Sequence, residues 1–267
     1  MSETKSILQL ARERRSVRTF TPEPLSKEQL ETIRGHVASI REPFSGRVSF
    51  KLLDADRFSL SSPVVKGAKQ YIAVCAKKGE NAELAAGYAG EDLFLFLCGM
   101  GIGTVWIGGT MDRAAFEKAS ALKEDEIMVC ITPAGCPAKM SLRENMMRKG
   151  VKADQRKKTE EIFEDRCPVD HSLAQDVYRD AVEAVRLAPS AVNRQPWYII
   201  HDQNGFHFFL KRSMKKSDSL DMQKVDMGIA LYHFCAVLDE NNIAYRTEQL
   251  NEQEEGLEYI LSVIPEQ

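Results

Sequence analysis

The stretch Ala188-Pro189-Ser190-Ala191-Val192-Asn193-Arg194-Gln195-Pro196-Trp197 is a polar loop bounded by prolines, and an apolar strand, Trp197 to His201, follows it directly. Pro189 and Pro196 restrict the backbone, while Ser190, Asn193 and Gln195 can each donate and accept hydrogen bonds. Such side chains suit the edge of a heteroaromatic ring. They equally suit a well-made connection between a helix and a strand. Trp197 reads as a core anchor. Far upstream, Arg14-Arg15-Ser16-Val17-Arg18-Thr19-Phe20 places three arginines and a serine within five residues. Guanidinium groups donate parallel hydrogen bonds to phosphate oxygens, and Ser16 can add a hydroxyl. The same residues also allow a solvated basic face.

Outward from the loop, a pattern repeats. Ser26-Lys27-Glu28-Gln29 and Ser172-Leu173-Ala174-Gln175 both read as capping boxes, 146 residues apart. At that offset Pro22 falls on Pro168, and Pro43 on Pro189. Each copy predicts a capped helix, ending near Ile40 or Leu187, then a proline and an apolar strand. The strands are Val48 to Leu53 and Trp197 to His201. Tyr88 to Cys98 and Val225 to Cys235 are similar apolar helices, now 137 residues apart. An internal duplication accounts for both offsets. The first copy adds the glycine-rich Gly99 to Gly109, a helix near Arg113 to Ala119 and a buried-type strand, Ile127 to Thr132. Lys149 to Lys158 reads as a charged connector, and Asn204-Gly205 as a hairpin turn. These patterns predict an α+β fold of two related halves, residues 1–158 and 159–267, forming one compact unit.

At 267 residues, 43% hydrophobic and 28% charged, the chain can bury a sizeable core. A net charge of −3 and a pI near 6.0 give no general attraction to nucleic acid or an anionic membrane. No apolar run reaches the roughly 20 residues a membrane helix needs. Met1 to Lys5 lacks a signal-peptide pattern. The six cysteines form no C-x-x-C pair, which fits a reduced, cytoplasmic protein. His36, His171, His201, His207 and His233 show no helical metal-ligand spacing, so no metal is expected.

Arg-Arg-Ser-Val-Arg-x-Phe, Gly-Ile-Gly-Thr-Val-Trp-Ile-Gly-Gly and Ala-Pro-Ser-Ala-x-Asn-x-Gln-Pro-Trp together resemble the signature segments of the nitroreductase-like flavoprotein family. Their wide spacing is similar to its long-spaced TM nitroreductase branch. The resemblance implies a nitroreductase-like fold that binds FMN. It implies that Arg14, Arg15, Ser16 and Arg18 hold the phosphate and nearby polar atoms, with Arg156 as a late basic residue. Pro189, Ser190, Ala191, Asn193 and Gln195 would contact the isoalloxazine or ribityl chain. Trp106 and Ile107 would line the ring face, and the Gly108 or Gly109 amide would donate to its N5.

Ordinary family members are homodimers that build each flavin site from both subunits, so the repeat implies a chain that imitates a dimer. At the 146-residue offset Arg14, Ser16 and Arg18 fall on Glu160, Ile162 and Glu164. Ser190, Ala191 and Asn193 fall on Phe44, Ser45 and Arg47. One clamp and one loop survive, which implies one FMN per chain, in a monomer or a weak homodimer. The implied activity passes hydride from NAD(P)H through FMN to a nitroaromatic, quinone or other small aromatic acceptor by a ping-pong mechanism. Hydride transfer needs no side-chain acid or base, so no catalytic side chain is assigned. Dehalogenation, flavin breakdown and a flavin sensor without turnover stay open as alternatives.

Overall fold

The computed structural model describes residues 5–167, 176–215 and 220–266. Pro168, His171 and the Ser172 capping box lie outside the described residues. The chain divides into two compact units, Glu13–Ala153, and Met1–Arg12 with Asp154–Gln267. The boundary therefore falls at Ala153/Asp154 instead of 158/159, and the N-terminus groups with the C-terminal unit. A carboxylate explains the second difference. Helix α1 (Ile7–Glu13) begins with the Ile7 N–H donating to Glu240 Oε1 at 3.1 Å, which satisfies one of the helix's orphan donors.

In the first unit, α2 (Lys27–Ser39) opens on the expected capping box. Ser26 Oγ accepts from the Gln29 N–H at 3.1 Å, and Gln29 Oε1 accepts from the Ser26 N–H at 2.9 Å. Strand β1 (Ser49–Asp54), the single turn α3 (Ala55–Phe58) and strand β2 (Gln70–Lys77) follow. Then come the long helix α4 (Ala82–Gly99), α5 (Arg113–Ser120), strand β3 (Glu126–Ala134) and α6 (Leu142–Gly150). The antiparallel sheet runs β1-β2-β3. One sheet face packs Tyr71, Ala73 and Met128 against Phe116 of α5. Helix α4, apolar on nearly all sides as a fully buried helix must be, contacts β2 and β3.

In the second unit, β4 (Phe163–Asp165) precedes α7 (Asp176–Leu187), β5 (Trp197–Asp202) and β6 (Gly205–Leu210). Helix α8 (Met222–Glu240) and strands β7 (Tyr245–Glu248) and β8 (Glu258–Pro265) complete it. The sheet order is β4-β5-β6-β8-β7, with β4 parallel to β5 and every other pairing antiparallel. Gly205, at φ +129°, makes the β5–β6 hairpin possible, because a Cβ there would meet the Val263 carbonyl oxygen at 2.7 Å.

The units share an order of elements. Each runs helix, antiparallel strand pair, long buried helix, then a strand antiparallel to the second strand: α2-β1-β2-α4-β3 and α7-β5-β6-α8-β8. No helix among the described residues is long and apolar enough to cross a membrane.

Candidate functional site

The arginine run and the glycine-rich segment come together in the first unit. Gly101, at φ +73°, ends α4 in a Schellman motif: its N–H donates to the Cys98 carbonyl, and the Ile102 N–H to that of Leu97, both at 2.9 Å. The released chain runs beside β3, with the Gly103 N–H donating to Gly135 O and the Ile107 N–H to Ile131 O. Residues 16 and 17 add themselves outside this segment: Ser16 bridges Thr104 in parallel, and the Val17 N–H donates to Thr104 O at 2.9 Å. Gly103 permits the approach, since a Cβ on it would meet Val17 Cβ at 2.9 Å. Arg14, Arg15, Gly101, Gly103 and Thr104 line the resulting cleft. The arginines follow the C-terminal end of α1, so their own donors, and no helix N-terminus, must attract an anion.

Arg14 is the most telling of them. Its side chain is 5% exposed, and among the described residues its Nε and Nη1 have no hydrogen-bond acceptor. Glu91 of α4, fully buried, stands 3.7 Å from Nε, an ion-pair separation longer than a hydrogen bond. The same carboxylate accepts from Trp106 Nε1 at 2.8 Å through its other oxygen. Trp106 lies against Gly90, where an added Cβ would collide with ring atom Cη2, and its ring centroid is 4.5 Å from that of Phe94. Among the described residues the buried Nε of Arg18 also has no partner, and burial lowers its pKa although Glu144 pulls the other way. Buried cationic donors left unfilled are costly, so these side chains suit an anion such as phosphate. Arg15 is exposed and Ser16 half-buried.

The rest of the glycine segment divides by strand alternation. Trp106 faces α4, which sends Ile107 the other way: its side chain is 3% exposed within the core cluster of Phe116 and Met128. The structure therefore gives the Ile107 side chain to the core and not to a ligand face. The Gly108 carbonyl accepts from Arg113 Nη2 at 2.8 Å, which fixes the turn, and the space around Gly109 is open.

The proline-bounded loop belongs to the second unit, and Arg156 joins it there. Val192, Asn193 and Gln195 all have left-handed φ (44°, 57° and 48°), an unfavourable conformation for a β-branched valine that is also 54% exposed. The strain is held by hydrogen bonds. The Gln195 N–H donates to Ser190 Oγ at 2.8 Å, Asn193 Nδ2 donates to Gln155 O at 3.0 Å, and the Lys157 N–H donates to Gln195 Oε1 at 2.9 Å. Arg156 uses Nε and Nη2 on the Leu187 carbonyl at the end of α7, and Nη1 reaches Asn193 Oδ1 at 3.4 Å. Those donors cap a helix C-terminus, so the expected phosphate role for Arg156 competes with a structural one. Pro189 is half-buried at the mouth of this network.

Glu91, Lys157 and Asp226 escaped the reading of the sequence. For the two acids the available signal was a carboxylate inside an otherwise apolar helical run, as in Tyr88 to Cys98 and Val225 to Cys235. Asp226 of α8 is buried, accepts from the Ala191 N–H at 2.8 Å, and has no partner for Oδ2 among the described residues. Burial pushes its pKa up to about 8, assisted by Asp221 and opposed by the Ala191 N–H. A carboxyl group raised in the folded state binds protons that the unfolded chain releases, so stability falls as pH rises from about 4 through about 8. Asp226→Asn is expected to flatten that dependence, seen as a smaller loss of Tm between pH 5 and pH 9 than in the parent protein.

The fold described above is the nitroreductase fold. A "putative nitroreductase" from Thermotoga maritima superposes with a TM-score of 0.66 at 20% identity, covering 99% of this chain and 95% of that one. A family model described as "Putative TM nitroreductase" matches residues 6–237, and the chain belongs to that family of oxidoreductases. A "putative NADH dehydrogenase/NAD(P)H nitroreductase" from Bacteroides thetaiotaomicron matches at 23% identity and TM-score 0.44, over 51% of this chain and 88% of that one. An FMN-dependent nitroreductase from Clostridium difficile matches at 16% identity and TM-score 0.43, over 49% and 88%. A search among curated proteins found no match.

Proposed function

We propose that this chain is an FMN-dependent oxidoreductase that carries hydride from NAD(P)H to a nitroaromatic, quinone or similar small aromatic acceptor in ping-pong fashion. The observation that carries the reading is the buried Arg14 guanidinium, with Nε and Nη1 unfilled among the described residues, beside the cleft of the glycine segment. A phosphate monoester supplies the acceptors those donors lack. Arg14, Arg15 and Arg18 would hold it, and Ser16 would add a hydroxyl donor. Glu91 keeps Trp106 in place through Nε1 and faces Arg14, so one carboxylate orients both. The Gly108 or Gly109 N–H would donate toward the ring, and Pro189, Ser190, Ala191, Asn193 and Gln195 would contact a flavin. Bound FMN supplies reversible hydride acceptance, and the protein's own contribution is position and electrostatics. The absorption spectrum of purified protein, with the released flavin identified and counted, tests the reading; colourless protein that FMN does not stabilise would overturn it.

We also propose that the chain arose by duplication and binds one FMN. The shared element order supports this, as does one position of the loops at the 146-residue offset: Arg47 is left-handed (φ 47°), like Asn193 (φ 57°), on which it falls. The positions matching Arg14 and Arg18 hold Glu160 and Glu164, and Glu164 is paired with Arg166 at 2.7 Å. A flavin-to-protein ratio near two would refute the stoichiometry. Arg47, exposed and opposite Asn193 in the alignment of the halves, has no part in the site. Arg47→Glu is expected to change the FMN Kd by less than about twofold, the ordinary scale of a surface substitution.

A further inference from the structure

The end of β5 farthest from the loop carries a second group of reactive side chains. Strands β4 and β5 pair in parallel with Asp165 opposite His201. This register sets Asp165 Oδ1 3.0 Å from His201 Nδ1. On the other side of the ring, Nε2 lies 3.6 Å from Sγ of Cys167. The Cys167 N–H donates to Asp165 Oδ1 at 3.1 Å, which ties the short segment together. His201 is 8% exposed and stacks on Phe206 with a centroid separation of 4.2 Å, so the ring has little freedom to turn. Cys167 is half-buried.

The imidazole thus stands between a thiol and a carboxylate. A carboxylate on Nδ1 holds the proton there and leaves the Nε2 lone pair facing the thiol, the relation of nucleophile, base and orienting group. We propose that Cys167 is a modification site, a thiol activated by His201 as general base with Asp165 as positioning residue, whose reactant is a small peroxide. Sγ attacks one peroxide oxygen; the S–O bond forms as the O–O bond breaks. The thiol proton passes to Nε2 and then to the departing oxygen. The sulfur is oxidised to a sulfenic acid, and the peroxide is reduced to water or an alcohol.

The surrounding charges decide how activation works. Arg166 is occupied by Glu164 and Glu254, and Asp202 by His207, at 2.9 Å. Burial, Asp165 and Asp202 all raise the pKa of the Cys167 thiol. The resting sulfur is therefore held as a thiol, and its proton moves during attack. A metal ion is the competing occupant, since the same three residues offer ligand atoms within 4.8 Å of one another. The Asp165 Oδ1 is engaged by His201 Nδ1 and the Cys167 N–H, however, and three side chains fall short of the four ligands a closed zinc site uses.

The test uses the full-length protein, site-resolved mass spectrometry, and exposed Cys136 as the internal reference. With hydrogen peroxide and dimedone at pH 7, Cys167 is expected to trap about tenfold faster than Cys136, or more, as general-base assistance gives. His201→Gln should bring Cys167 down to the Cys136 rate and pH profile, and Asp165→Asn should lower it part of the way. Equal rates for the two cysteines in the parent protein would overturn the proposal without any variant. So would an unchanged Cys167 rate in a folded His201→Gln protein, or stoichiometric zinc in the purified protein that blocks trapping.

Discussion

Arg14→Met is expected to weaken FMN binding by about 10- to 150-fold, the loss of one charge-assisted contact worth roughly 1.5–3 kcal/mol. The methionine keeps most of the apolar stem and removes the donors. Arg14 is chosen over Arg15 because its side chain is 5% exposed, whereas Arg15 is exposed and screened by water. Titration of apo-protein with FMN, followed by flavin fluorescence, measures the effect. Glu91 retains the Trp106 Nε1–H as a donor in the variant, so the apo-protein should still fold, and near-ultraviolet dichroism checks that it does. An unchanged Kd in a folded variant would remove Arg14 from the phosphate clamp. Rising salt should weaken the parent's binding less than it would weaken an exposed ion pair, because screening acts least on buried charges.

What the sequence revealed was local. The capping box at Ser26 is visible because its two hydrogen bonds join residues three apart. The Asn204-Gly205 hairpin follows from two residues, and the apolar segments Tyr88 to Cys98 and Val225 to Cys235 lie inside α4 and α8 as expected. Strand β2, the middle of its sheet, escaped notice. Tyr71 to Ala76 is buried on both faces, so it shows no alternation to mark it as a strand. The three arginines, Arg14, Arg15 and Arg18, were legible as a cluster, but Glu91 was not. Its link to Trp106 spans 15 residues and exists only once the Schellman turn at Gly101 has folded the chain back along β3. The docking of α1 on Glu240, 233 residues away, has no local signature at all. Arg156 shows the reverse problem. The family resemblance suggested phosphate, while the orphan carbonyl at the end of α7 supplied a partner that only the fold could place.

Trp197→Ala should produce the largest loss of stability. The indole is fully buried at the start of β5, where the proline-bounded loop enters the sheet. Truncating a buried tryptophan costs about 3–5 kcal/mol, since the lost contacts are joined by a cavity that the sheet cannot close. For a chain of this size that corresponds to a fall in Tm of roughly 6–20 °C. Trp197→Phe should behave differently. Among the described residues Nε1 of Trp197 has no acceptor, so the phenyl ring gives up volume but also removes an unsatisfied buried N–H. Its net cost should stay under about 1.5 kcal/mol, the range of near-isosteric core changes. Thermal melts of the two variants separate packing from hydrogen bonding: equal losses would mean that the indole N–H has an acceptor, and that the residue holds the loop through polarity as well as bulk. If packing alone anchors it, Trp197→Phe should leave the left-handed turn at Val192 to Gln195 in place and FMN affinity within about twofold, because the bonds from Ser190, Gln155 and Lys157 that hold that turn do not touch the indole.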